Sequence, residues 1–221
     1  ISPSVVANGS MIYDYKNDRT LFEAFIPEKD RHIVKAVLDA CGTVGVEVHS
    51  GKKVLVLNES QETIDHEKYE KLDSITLDYE HALDYNWNKV IYLFANEAES
   101  ETVKQIVSRF EHSSQFVDTS ATINGVLRHY FEHVSKNVSK ANALKKLCEI
   151  LNIKKGCCYA IGDYYNDIEM IKSADIGAAL ADSPKEVKAV ADRVVCSVQN
   201  GAVADFIDYL TERKTKNGRS Y

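Results

Sequence analysis

The sequence predicts an α/β protein: a parallel sheet with helices on both faces, into which an α+β module is inserted. Two observations predict it. After about residue 132, short apolar runs alternate with amphipathic segments at a regular pitch, which is typical of β/α units. Residues 14–131 are instead rich in strand-like runs, and no Pro-rich or Gly-rich linker bounds them, as expected when both connections return to one sheet. We therefore assign residues 1–13 and 132–213 to the α/β core, 14–131 to the module and 214–221 to a polar tail.

The amino-terminal half gives mostly strand signals. The apolar run Val5-Val6-Ala7 predicts one strand of the core sheet, and apolar runs on either side of a polar turn at 16–18 predict a hairpin. Pro27 suits the first turn of a helix, which the following apolar positions extend over about 28–41. Residues 58–86 show no clear period, so no element is predicted there. Further strands are predicted at 44–48, 54–57, 90–94, 115–118 and 126–130, and a further helix at about 103–110.

The carboxyl-terminal half alternates strand and helix signals. Ser139 is the expected cap of a helix whose apolar face includes Leu144, Leu147 and Leu151. A buried strand is predicted at 157–161, followed by a helix that begins near Asp167. The remaining elements are predicted to be a strand at 177–180, a helix from Pro184, a strand at 194–196 and a helix at 203–210.

Composition excludes several classes of protein. The 221 residues are 44% apolar and 27% charged, which is ordinary for a globular protein. There is no run of about 18 apolar residues and no signal-peptide pattern, so we expect a cytoplasmic protein that does not enter a membrane. The net charge of −6 argues against a nucleic-acid partner, because such surfaces need clustered Lys and Arg. An acidic protein can still bind a small phosphate in one local pocket.

The metal-binding residue types are scattered. The seven histidines show no metal-binding motif; His129 and His133 are four apart but lie in a predicted strand, where they need not converge. Five cysteines show no metal-ligand spacing either, and most fall on apolar faces. We therefore expect the cysteines to be small buried hydrophobic residues in a reducing compartment. They are Cys41, Cys148, Cys157, Cys158 and Cys196.

The stretch from Cys157 to Ala179 carries the strongest functional signal. Its apolar start predicts a strand, and Asp163, Asn166 and Asp167 come where that strand ends and a helix begins. Ligands of open α/β sheets bind at the carboxyl ends of strands. Two carboxylates and an amide at this place suit a hard divalent cation with an anion beside it. The alternative is that Asp163 only caps a helix, which is a common role of Asp.

The full string from Gly162 to Met170, G-D-x-x-N-D-x-x-M, resembles the last motif of the haloacid dehalogenase (HAD) superfamily. Within that superfamily the chain is similar to the Cof-type phosphatases with an α/β (C2-type) cap, over nearly its whole length. The resemblance implies a HAD-like Rossmannoid core with an inserted α+β cap domain. Three further segments carry it: Asn8-Gly9 before the hairpin resembles the start of the cap, Val138-Ser139-Lys140 the lysine motif, and Asn200-Gly201-Ala202-Val203 the Asn/Asp-Gly-Val segment.

The resemblance also implies roles for individual residues. Asp163 matches the carboxylate that binds Mg²⁺, and Asn166 matches a residue that donates to the phosphate or organises the metal site. Asp167 matches an acid that holds metal-bound waters and the lysine. Lys140 matches the catalytic and substrate-binding cation, which neutralises the nucleophile and the phosphate. The alternatives are that Lys140 is an ordinary solvated lysine, or that nearby Lys136 takes the role.

Three departures from the family pattern stand out. Tyr164 and Tyr165 are large where a small residue usually follows the metal Asp, and residues 181–183 read Ala-Asp-Ser where Asn-Ala is common. The family's first motif, Asp-x-Asp-Gly-Thr, which carries the nucleophile, occurs nowhere in the sequence. We expect that the chain is a fragment that begins after this motif; the alternative is a natural truncation that has lost catalysis. On either account the chain alone is expected to be inactive.

The resemblance implies an enzyme that hydrolyses small phosphomonoesters with Mg²⁺ through an aspartyl-phosphate, acting on a phosphorylated metabolite as a monomer or homodimer. Two alternatives stay open. One is a catalytically inactive binding or scaffold protein on the same fold, and the other is a sugar phosphomutase of the same superfamily. Sugar phosphates, flavin mononucleotide and pyridoxal phosphate all fit the substrate class.

Overall fold

The computed structural model describes residues 3–123 and 125–216. It divides into two compact units, residues 6–138 and residues 3–5 with 139–216. The sequence prediction set the boundaries near 13 and 131 instead. They differ because strand β2 (Met11–Asp14) pairs with a later strand of the 6–138 unit, and because the last strand of that unit continues to Ser135. Ile1, Ser2 and residues 217–221 of the predicted tail lie outside the described residues.

The 6–138 unit holds a hairpin, a six-stranded sheet and four helices. A short strand, β1 (Ser4–Val6), precedes the unit's hairpin, in which β2 pairs with β3 (Arg19–Glu23) in antiparallel fashion. The other elements of the unit, in chain order, are α1 (His32–Ala40), β4 (Gly45–Ser50), β5 (Lys53–Asn58), α2 (Gln61–Glu70), β6 (Ser74–Thr76), α3 (Tyr79–Ala82), β7 (Lys89–Leu93), α4 (Glu97–Val107), β8 (Ser114–Ile123) and β9 (Val126–Ser135).

The six strands are ordered β6-β5-β4-β7-β9-β8, and all neighbours are antiparallel except β5 and β6. Because side chains alternate along each strand, the two faces of this sheet differ. One face buries apolar residues such as Val46 and Val90 against α1 and α4, with Trp87 fully buried in the same cluster. The other face places Glu47 of β4 and Glu132 of β9 among buried residues. The alternation in the sequence therefore corresponds to one apolar and one partly polar face.

The predicted helix over 28–41 is broken in two. A 3₁₀ turn at Glu28–Asp30 precedes α1. Asp30 points inward, where its Oδ2 accepts hydrogen bonds from Ser113 N at 3.0 Å and Ser114 Oγ at 2.6 Å. Burial alone would raise the pKa of Asp30, but these hydrogen bonds hold it below its usual value.

The stretch at 58–86 contains α2, β6 and α3, which the periodicity did not reveal. The buried residues of α2 are Thr63 and His66, both polar, so the helix shows no apolar period. Its start is fixed by a reciprocal cap, in which Ser60 N donates to Thr63 Oγ1 at 2.9 Å and Ser60 Oγ accepts from Thr63 N at 3.4 Å.

The 139–216 unit is the alternating region that the sequence predicted. Its elements are α5 (Lys140–Ile150), β10 (Tyr159–Gly162), α6 (Ile168–Ser173), β11 (Ile176–Leu180), α7 (Lys185–Ala189), β12 (Arg193–Val195) and α8 (Ala202–Lys216). The helix α8 continues through the first residues of the predicted tail. Cys157 and Cys158 precede β10, whereas the sequence prediction placed them within the strand.

The three strands of this unit form a parallel sheet in the order β10-β11-β12. Sheet residues such as Ala178 and Leu180 pack against α8, while Ala179 packs against Ile171 of α6 and Val187 of α7. Helices therefore cover both faces, and the predicted α/β class is confirmed. Among the described residues, β10 pairs only with β11, so its other edge is open. None of the helices described is both long and apolar enough to cross a bilayer.

Candidate active site

The candidate site lies at the carboxyl end of β10. The strand ends at Gly162, and Asp163 and Tyr164 follow it into a 3₁₀ turn at Tyr165–Asp167, which leads directly into α6. The order of strand, acidic loop and helix is the one predicted from the sequence. Carboxyl ends of parallel strands are the usual place for ligands in open α/β sheets.

Asp167 organises this loop. Its side chain is buried, with 3% of the residue exposed. Oδ2 accepts hydrogen bonds from the backbone N–H groups of Asp163 at 3.1 Å and Tyr164 at 3.4 Å. Oδ1 accepts a hydrogen bond from Lys140 Nζ at 2.6 Å. One carboxylate therefore fixes both the loop backbone and the lysine.

Gly162 makes the close approach of Asp167 possible. A Cβ atom at position 162 would lie 2.4 Å from Asp167 Cβ and 2.8 Å from its Cγ. These distances are far below a van der Waals contact, and the atoms they involve belong to the rigid base of the side chain. Glycine is therefore required at the end of β10 for the carboxylate to reach the loop.

Lys140 reaches the site from the first residue of α5. The preceding residue, Ser139, caps the helix and accepts a hydrogen bond from Asn142 N at 3.1 Å. The lysine side chain is 32% exposed, so its ammonium is held by Asp167 but still open to solvent or a ligand. The rival, Lys136, is exposed and has no ion pair in the described part of the chain. The structure thus brings Lys140, rather than Lys136, to Asp167.

Asp163 and Asn166 are both exposed. Within the described residues, the Asp163 carboxylate has no hydrogen-bond or ion-pair partner, so it does not act as a helix cap; only its backbone N–H is used. Asp163 borders a cavity of about 440 Å³. The cavity is lined mainly by apolar and small residues, namely Ile161, Gly162, Leu180, Val198, Gly201, Ala202, Val203 and Ala204.

Two tyrosines follow Asp163. Tyr164 and Tyr165 are 52% and 50% exposed, and their rings meet edge to face with centroids 5.0 Å apart. The Tyr165 hydroxyl donates to Glu186 Oε2 at 3.3 Å, and the charge of this carboxylate raises the pKa of the phenol. Both rings are therefore surface features of the same loop as Asp163.

The donor set suits Mg²⁺ only in part. An exposed carboxylate without a protein partner is the kind of oxygen ligand that Mg²⁺ prefers, and Asp163 meets that condition. Among the residues that the structure describes, however, no three His, Cys, Asp or Glu side chains cluster closely enough to hold a metal ion. These residues therefore offer one direct ligand and not a complete site.

Sequence reasoning missed a buried polar cluster in the 6–138 unit. The Glu47 carboxylate accepts a hydrogen bond from His66 Nδ1 at 2.9 Å, while Lys89 Nζ lies 3.4 Å from Glu132 Oε1. Burial pushes the pKa of Glu47 up, but hydrogen bonds with His49 and His66 more than offset this and leave it lowered. The sequence feature that could have indicated this cluster is Glu47, because it is a charged residue between the apolar residues Val46 and Val48.

Comparison with known proteins identifies the family. The family model described as haloacid dehalogenase-like hydrolase matches residues 1–207. The chain belongs to this family. It is 26% identical over 212 residues to the phosphatase YwpJ of Bacillus subtilis, an alignment that covers 93% of this chain and 64% of that protein. The chain therefore spans less than two thirds of this relative's length.

The chain is also similar to a second curated relative and, in fold, to a solved structure. The B. subtilis 5-amino-6-(5-phospho-D-ribitylamino)uracil phosphatase YwtE is 31% identical over 110 residues, covering 50% of this chain and 37% of that protein. A putative HAD/COF-like hydrolase from Plasmodium vivax has a similar fold, with a TM-score of 0.75 and 22% identity over 96% of this chain and 74% of that one. The resemblance to the haloacid dehalogenase superfamily, inferred from the sequence motifs, is confirmed.

Proposed function

We propose that the protein to which these residues belong is a Mg²⁺-dependent phosphatase of small phosphomonoesters. The observation that carries the proposal is the convergence of Lys140, Asp167 and Asp163 at the end of β10, beside a cavity. A lysine, a buried carboxylate and an exposed carboxylate thus meet at the end of β10, and the exposed carboxylate borders the cavity. The family membership and the names of the phosphatase relatives support the same reaction class.

Each residue has a distinct task in this proposal. Asp163 would hold the Mg²⁺, which when bound offsets the negative charge that separates a phosphate from an attacking carboxylate. Lys140 places a second positive charge beside the phosphate, and Asp167 fixes its ammonium in position. Asn166, exposed on the same turn, would donate a hydrogen bond to a phosphate oxygen. Phosphoryl transfer depends mainly on such positioning and charge stabilisation.

The nucleophilic aspartate is not among these residues, because the sequence holds no Asp-x-Asp-Gly-Thr motif. The open edge of β10 offers a place for it. A strand added in parallel along that edge would end beside Asp163, since parallel strands share their carboxyl ends. We therefore propose that the aspartate comes from a segment that pairs with β10, and that residues 6–138 form the cap that selects the substrate.

The test is a phosphatase assay on two proteins: these 221 residues, and the longest reading frame that contains them. The substrates are p-nitrophenyl phosphate, sugar phosphates, flavin mononucleotide and pyridoxal phosphate, with Mg²⁺ or with EDTA. We expect Mg²⁺-dependent release of phosphate from the longer protein and none from the shorter. Release of phosphate at equal rates with EDTA would contradict the metal requirement.

The matched variants are Lys140→Met and Lys136→Met. Loss of a charge that stabilises the transition state by several kcal/mol lowers kcat at least about 100-fold, so we expect this for position 140 and no change for position 136. A longer protein that turns over nothing, yet binds phosphate through Lys140, would favour the inactive binding protein. A phosphorylated sugar product from a sugar-phosphate acceptor would favour the phosphomutase.

A further inference from the structure

Two cysteines from separate elements lie together in the 139–216 unit. Cys148 is on α5 and Cys158 immediately precedes β10. Their sulfur atoms are 3.2 Å apart, with the thiol of one directed at the other. All five cysteines are free thiols. A disulfide bond needs a sulfur separation of about 2.05 Å, so a closure of about 1.2 Å would join this pair.

The thiol pair lies in the wall of a cavity. The cavity has a volume of about 490 Å³, and both Cys148 and Cys158 line it. Three lysines line it as well, and none of them has an ion pair within residues 3–123 and 125–216; they are Lys145, Lys154 and Lys155.

The two carboxylates of the same cavity are already engaged. Glu149 pairs with Lys146 at 3.1 Å, and Asp175 accepts hydrogen bonds from the backbone N–H groups of Gly156 and Cys158, both at 2.9 Å. Asp175 keeps its negative charge, because backbone N–H groups do not neutralise a carboxylate, but the three lysines outnumber it and leave the cavity wall positive. Such a rim attracts a small anion in preference to a neutral molecule of the same size.

We propose that Cys148 and Cys158 are a reversible redox-modification site, in which the two thiols are oxidised to a disulfide by a small anionic disulfide that enters this cavity. The proposal does not depend on the phosphatase activity, because neither thiol belongs to the candidate active site. Oxidised glutathione is the probe, since it is an anionic disulfide. The relevant chemistry is thiol–disulfide exchange.

The exchange has two steps. First, the Cys148 sulfur, as its thiolate, attacks one sulfur of the probe; the disulfide bond of the probe breaks, a mixed disulfide forms, and one glutathione thiolate leaves and takes up the proton that Cys148 lost. Second, Cys158 loses its proton and attacks the Cys148 sulfur of the mixed disulfide. The second glutathione leaves as a thiol. The protein loses two electrons and two protons, and the probe is reduced to two thiols.

The order of the steps follows from the surroundings of Cys158. Burial, together with the hydrogen bond to Cys148, raises the pKa of the Cys158 thiol to about 12. The Cys158 thiolate is thus disfavoured, so we assign the first exchange to Cys148; Cys158 then attacks a sulfur that lies only 3.2 Å away, and this proximity lets it complete the bond. The rate should rise with pH, by about tenfold per unit while thiolate formation limits it.

The first experiment treats the 221-residue protein with oxidised glutathione and follows it by intact mass and by peptide mapping. We expect the loss of two of the five thiols, a mass lower by two hydrogen atoms, and a linked pair of peptides that contain Cys148 and Cys158. Dithiothreitol should restore both thiols. Accumulation of a stable glutathione adduct on the wild type, with no internal disulfide, would overturn the proposal.

Variants identify the pair. Cys158→Ser should stop at the mixed disulfide on Cys148, because the resolving thiol is gone. Cys157→Ser is the matched control, since it removes the neighbouring thiol in sequence, and it should form the disulfide as the wild type does. If Cys157→Ser instead abolished the disulfide, the assignment of Cys158 would be wrong. Thermal melting of each variant shows that it is folded before oxidation.

A charge-reversal variant tests the cavity. Lys154→Glu combined with Lys155→Glu should slow oxidation by glutathione disulfide about tenfold while leaving oxidation by neutral 2-hydroxyethyl disulfide unchanged. An equal effect on both oxidants would show that the lysines do not select an anion, and that part of the proposal would fail.

Discussion

Lys140 donates a hydrogen bond to the buried carboxylate of Asp167 at 2.6 Å, although the two residues lie 27 positions apart on different elements. The same carboxylate accepts the backbone N–H of Asp163 through its other oxygen. The lysine of α5 and the loop after β10 are therefore linked through a single side chain. A change at Asp167 should disturb both, whereas a change at Asp163 should disturb neither.

The first prediction is a coupling energy between Lys140 and Asp167. In a double-mutant cycle with Lys140→Met and Asp167→Asn, we expect a coupling of about 1–2 kcal/mol in the free energy of unfolding, measured by urea denaturation. The value is set below that of a fully buried pair because the lysine is one third exposed. Lys136→Met, combined with Asp167→Asn, should show no coupling. Additive effects at positions 140 and 167 would contradict the ion pair.

The second prediction concerns Gly162. Gly162→Ala should destabilise the protein by about 1–3 kcal/mol, because the new methyl group would overlap the base of the Asp167 side chain. The matched control is Gly42→Ala, where no atom lies within 4 Å of the new Cβ. We expect that change to stay within about 0.5 kcal/mol. Equal unfolding midpoints for the two variants would show that Asp167 moves aside without cost.

The third prediction is a pH dependence that His133 causes. Its ring stacks on Phe116 at 4.3 Å, and neither ring nitrogen has a hydrogen-bond partner within the described residues. Burial lowers the pKa of His133 from 6.5 to about 3. The charge of Asp30 opposes this shift, whereas the charge of His112 acts in the same direction. The unfolded chain therefore binds a proton more readily than the folded one, and stability is lost as the pH falls from about 6.5 towards 3.

The free energy of unfolding should fall by nearly 1.4 kcal/mol for each pH unit below about pH 6. His133→Phe should remove this contribution to the slope while keeping a ring against Phe116. The measurement is urea unfolding at several pH values, followed by the fluorescence of Trp87, the single tryptophan, which is buried in the same unit. Exposed His129 gives the control, and His129→Gln should leave the slope unchanged. The same slope in His133→Phe and wild type would show that other groups cause it.

Most of the α/β unit could be predicted from the sequence because its signals are local. The apolar run before Gly162, the cap residue Ser139 and the periodic apolar faces each act within a few positions of the chain. The same holds for the position of Asp163 after its strand. These features depend on helix and strand periodicity and on capping, which a single sequence displays directly.

The features that escaped prediction depend on contacts between distant segments. Asp30 is buried through hydrogen bonds to the distant Ser113 and Ser114, and α2 shows no apolar period because it buries polar Thr63 and His66. The five cysteines were predicted to be small buried residues, and their spacing gives no sign that two of them meet. Such pairings follow from tertiary packing, which sequence periodicity does not record.

The last prediction separates stability from activity at the candidate site. The Asp163 carboxylate is exposed and has no partner within the described residues, so Asp163→Asn should change the free energy of unfolding by less than about 0.5 kcal/mol. On the function we propose, the same change in the longest reading frame that contains these residues should lower kcat with Mg²⁺ at least about 100-fold, because it replaces the proposed metal ligand. Asp208→Asn, which alters an exposed acid of the same unit on α8, should change neither quantity. Asp167→Asn should lower both stability and kcat, since it removes the partner of Lys140. Full activity in Asp163→Asn would rule out its role at the metal, whereas a loss of stability equal to that of Asp167→Asn would show that Asp163 is structural.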